Sequence, residues 1–108
     1  MEKLYPQSAL ISIRRQAMIY NCACPAQVCE TISHLRQLHD YQSACLDESP
    51  MDQIVHRRIA QAVEIAHREM ETCLDEILRI EGWDPVTFEM PASLQKTRAL
   101  PLPPPPPA

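Results

Sequence analysis

One glycine, Gly82, serves all 108 residues. Sheet proteins need glycine at many tight turns, where backbone angles closed to other residues recur. A chain with a single glycine is therefore expected to be helical. The prolines sharpen this reading. Seven of the eleven lie from Pro91 onward and the chain ends in a run of five before Ala108. Such a segment cannot propagate a helix or join a sheet ladder. The expected organisation is a helical bundle domain over residues 1–90 and a disordered proline-rich tail over 91–108, with local polyproline II structure.

Residues 7–24 carry Leu10, Ile13, Ala17, Tyr20 and Cys24 at steps of three and four, the period of an α-helix. Ile11 and Ile13 also alternate with Ser12 and Arg14, so a short strand is the competing reading; the longer stripe favours helix. Pro25 suits the first turn of a second helix running to about Leu46, with Val28, Ile32, Leu35, His39, Gln42 and Leu46 as its stripe. Ser49-Pro50-Met51-Asp52 is a strong helix start: a hydroxyl cap, a proline in the first turn and an acid at the positive end of the dipole. The third helix should run from Pro50 to Glu81 and stop at Gly82. Its stripe is Val55, Ile59, Ala62, Ala66, Met70, Cys73, Ile77 and Ile80, with a second apolar flank of Ala60, Val63, Leu74 and Leu78.

A tight turn near residue 48 would set Gln42 against Val55, His39 against Ile59, Leu35 against Ala62, Ile32 against Ala66 and Val28 against Met70. The fold class is thus all-α: an antiparallel hairpin (about 25–46 and 50–81) with an N-terminal helix and bundle-type packing. The longer helix overhangs the shorter, leaving Ile77, Leu78 and Ile80 to be covered by the N-terminal helix, a second subunit or both. Two apolar faces on one helix suggest a homodimer built from two hairpins. His39 beside Gln42 in the seam would fix register at some cost in stability. Trp83 and Phe88 should pin the segment after Gly82 to the bundle.

Residues 1–90 hold fourteen acids against eight Lys and Arg, which argues against a nucleic-acid surface. There is no apolar run long enough to span a membrane, and the N-terminus lacks a secretory pattern, so the expected compartment is cytoplasmic. An odd count of five cysteines fits reduced thiols better than a disulfide framework.

The cysteines are the main chemical candidate. Cys22, Cys24 and Cys29 lie at a helix junction, and the tight-turn register would bring Cys73 opposite Cys24. Soft thiolates of this kind suit zinc, copper or iron, with His67 as a further nitrogen ligand. Cysteines on apolar stripes also serve as small core residues. Glu64-x-x-His67, with Glu30 and His34 nearby, has the spacing of di-iron bundles but supplies one motif where two are needed. No nucleophile–base set and no phosphate loop appears, so an enzyme is the least supported class. The leading expectation is a small oligomeric helical protein acting through protein–protein interaction, without a cofactor. The alternative is a metal-binding or thiol-redox protein using the cysteine cluster.

Overall fold

The computed structural model describes residues 1–19 and 23–95. It is built from helices α1 (Gln7–Ile19), α2 (Cys24–Ala44) and α3 (Pro50–Glu81), followed by a short 3-10 turn at Ala92–Leu94. Among the described residues there is no strand, and no helix is long and apolar enough to cross a membrane. The strand alternative for residues 7–19 is excluded. Tyr20, Asn21 and Cys22 lie outside the described residues, as does the tail from Lys96 onward.

The ends of α3 form where the sequence places them. Ser49 is extended and its hydroxyl accepts from the Asp52 amide at 3.1 Å. Gly82 takes the left-handed conformation (φ 84°), and its amide donates to Leu78 and Arg79 carbonyls. A side chain there would meet the φ penalty that glycine escapes.

α2 packs against both neighbours. The cross-hairpin contacts are His39 with Glu64 (3.1 Å), Arg36 with His67 (3.0 Å) and Asp47 with His56 (2.7 Å). The register is therefore five to six residues away from that of a tight turn at 48. The cause lies in the connection. Cys45 and Ser49 are both extended, and an extended stretch advances about 3.3 Å per residue against about 1.5 Å in a helix. The chain thus runs on past the end of α2 before α3 begins, and α3 climbs back alongside it.

The shift changes which face of α3 is buried. Val63, His67, Glu71, Leu74 and Leu78 form the inner stripe. The expected flank is thus the core, while most of the expected stripe is partly or fully exposed; Ile80 is 83% exposed. Leu78 does not need a second subunit. It shares one core with Tyr5, Leu10 and Ile13 from the N-terminal region, Cys29 and Ile32 from α2, and Trp83 and Met90 beyond α3, with Ile77 packed at its edge.

Residues 83–90 close over this core as a strap. Asp84 Oδ1 accepts from the Val86 and Thr87 amides, and the Phe88 amide donates back to the Asp84 carbonyl. Gln16 grips the strap from α1: its Nε2 donates to the Phe88 carbonyl (2.9 Å) and its Oε1 accepts from the Met90 amide (2.8 Å). Between these contacts Phe88 sits at φ 60°, a costly conformation for an aromatic residue. Its ring stacks at a tilt on Tyr5, 5.6 Å away. Leu94 also packs on the core, so ordered packing continues past residue 91.

Candidate functional site

The described cysteines are distributed, not gathered. Cys29 is buried in the shared core, and burial pushes its thiol up to about 12. A thiol so raised is a poor nucleophile and a poor ligand. Cys24 is exposed at the start of α2, while Cys73 is partly buried on α3. The observed register sets Cys73 level with Glu30 instead of Cys24, which removes the expected facing pair. Among the described residues no group of three His, Cys, Asp or Glu side chains could hold a metal ion. Cys22 lies outside the described residues.

His67 is not directed to a ligand either. It is 1% exposed. Arg36 Nε donates to its Nε2, so Nδ1 carries the proton and faces Glu71 Oε1 at 3.3 Å. Glu71 Oε2 accepts from Arg36 Nη2 and from the Leu4 and Tyr5 amides. Arg36 also reaches the Tyr5 carbonyl and Gln7 Oε1. This buried network ties the N-terminal segment, α2 and α3 together. It uses both imidazole nitrogens, so no lone pair is left for a metal. Glu64 turns instead to His39, and Glu30 pairs with Arg14 and His34; the di-iron motif is not assembled.

A cleft of about 730 Å³ lies beside the network, walled by Met1, Glu2, Lys3, Glu64, Arg68 and Thr72 among others. Its walls mix both signs of charge. His67 borders it with both ring nitrogens engaged.

The feature that remains is a surface. α1 starts level with Ser33 and Arg36, as the bonds of Gln7 to both show. The hairpin beyond that level has no α1 cover. There Leu38, Tyr41, Leu46, Met51, Ile54, Val55 and Ile65 are 40–78% exposed. Gln42 Oε1 in the same region is buried without a hydrogen-bond partner among the described residues. On α3 these side chains form an outer stripe on the side roughly opposite the inner one. The sequence contains it as Met51, Val55, Arg58, Ala62 and Ile65 at steps of four and three. The charges of Arg36 and Glu71 concealed the true core face: 29, 32, 36 and 67, 71, 74, 78 have core spacing, but two of those positions are ionic.

No known protein family, curated protein or solved structure matches this chain.

Proposed function

We propose that this chain is a non-enzymatic helical module that acts by protein–protein contact, pairing through the uncovered end of its hairpin to form a homodimer. The observation that carries the reading is the clustering of exposed apolar side chains on the α2–α3 hairpin past the reach of α1. Scattered exposed leucines are ordinary, but a contiguous apolar patch marks a contact surface. The molecule is also thin, 55 × 27 × 18 Å. One layer of helices leaves a hairpin face open, and bundles close such a face with a second layer. The acid-rich composition weighs against nucleic acid as the partner. Cys29, Cys45 and Cys73 are free thiols, which suits a reducing, cytoplasmic setting.

Sedimentation at tens of micromolar tests the reading. A dimer is expected for the native chain, and a monomer for Leu38→Glu and Ile65→Glu with helicity kept. A native chain that sediments as a monomer sinks it.

A further inference from the structure

Resting on that dimer reading, we infer that two copies pair α3 against α3 antiparallel, with a two-fold axis between Ala62 and Ile65. Each Arg58 then meets Glu69 of the partner subunit. The outer stripe of α3 runs Met51, Val55, Arg58, Ala62, Ile65 and Glu69, one residue per half heptad, and all six are exposed. Arg58 and Glu69 are the charges that interrupt it. Arg58 lies four residues before Ala62 and Glu69 four after Ile65, so the two are equidistant from the axis and opposite in sign. The two-fold superposes one on the other, giving two symmetric ion pairs around an apolar centre.

Two other registers fail on the same charges. Parallel pairing in register sets Arg58 on Arg58 and Glu69 on Glu69. Antiparallel pairing centred on Arg58 overlaps more apolar residues but confronts that arginine with itself. Like charges in a pairing seam oppose association and select the alternative.

The small Ala62 beside the axis permits close approach of the two helices, and from Met51 to Glu76 the paired faces of α3 run roughly 39 Å.

Charge exchange tests the geometry on the full chain. Arg58→Glu and Glu69→Arg each create two like-charge contacts and should weaken dimerisation at least about tenfold by sedimentation equilibrium at low salt. The double variant should return to within about threefold of the native constant. Helicity by circular dichroism should stay native in all three, because both positions are exposed. Dimers unaffected by the single changes, or not recovered in the double, overturn this register and leave the dimer reading intact. A native chain that is monomeric at about 100 μM overturns both, and assigns the face to a different partner.

Discussion

Arg36 Nε donates to His67 Nε2 at 3.0 Å across the α2–α3 hairpin, with both side chains at least 94% buried. The bond joins two residues whose types belong on the surface, and it sets the hairpin register. The same guanidinium holds Glu71 and the Tyr5 carbonyl. Arg36→Ala would leave a carboxylate, an imidazole and a carbonyl buried without their donor. The expected loss is about 3–5 kcal/mol, the range for breaking a buried ion pair from one side. Urea unfolding of the variant measures it; a loss under about 1 kcal/mol would mean that water replaces the arginine.

The network also makes stability depend on pH. His67 is held below its ordinary value near 6.5, chiefly by burial. Glu71 opposes the shift, while Arg36, Lys3 and His39 reinforce it. Above pH 6.5 the imidazole is neutral whether the chain is folded or not, and its contribution is fully present. As the pH falls below 6.5, the unfolded chain takes up a proton that the folded chain resists. Stability then drops by up to about 1.4 kcal/mol per pH unit until the folded value is reached. His67→Gln keeps a donor and an acceptor but cannot titrate. Its unfolding free energy should fall less steeply than the native one between pH 7 and 5, and parallel slopes would show that His67 is not the group responsible.

Much of this fold was legible in the sequence. Ser49, Pro50 and Gly82 act locally, so the span of α3 follows from them without tertiary information. The register was not legible, because it depends on how far an extended loop travels before α3 begins. Nor was the buried face of α3. A periodicity count scores His67 and Glu71 as polar, and only their partnership with Arg36 makes them core residues. The cysteine pairing failed with the register. The apolar stripe that appeared strongest in α3 is instead partly uncovered, and of its members Val55 and Ala62 lie on the candidate contact surface.

Core substitutions on α2 separate the two registers. Ile32 is fully buried, and Leu35 only partly so. Ile32→Ala should cost roughly 2–5 kcal/mol, as cavity-forming changes do, and Leu35→Ala clearly less. Denaturant midpoints at equal slope report the difference. Comparable costs at the two positions are what the tight-turn register, which buries both, would give.

The strap offers a similar comparison. Trp83 is 5% exposed, and its indole donates to Glu81. Trp83→Ala should cost about 3–5 kcal/mol. Gln16→Leu should cost less, about 1–3 kcal/mol, by stranding the Phe88 carbonyl and the Met90 amide. The more telling measurement is amide exchange: Met90 should lose protection in Gln16→Leu while α2 keeps its own. Unchanged exchange at Met90 would mean that packing alone holds the strap.

The last prediction concerns Cys29, where packing and thiol chemistry make opposite demands. A redox or ligand thiol must reach its thiolate near neutral pH and must be accessible. Cys29 is 1% exposed, and burial outweighs the favourable charges of Arg14 and Arg36, holding the thiol at about 12. At pH 8 a small alkylating reagent should therefore leave Cys29 unmodified in the native chain and label it only after unfolding. Mass mapping of the labelled peptide, with and without urea, gives the result directly. Cys29→Ala should keep the fold at a modest cost in packing, whereas Cys29→Ser should lose more by burying a hydroxyl among Leu10, Ile13 and Leu74. Native labelling of Cys29 as fast as in urea would show that the core opens there, and would revive the thiol-chemistry alternative.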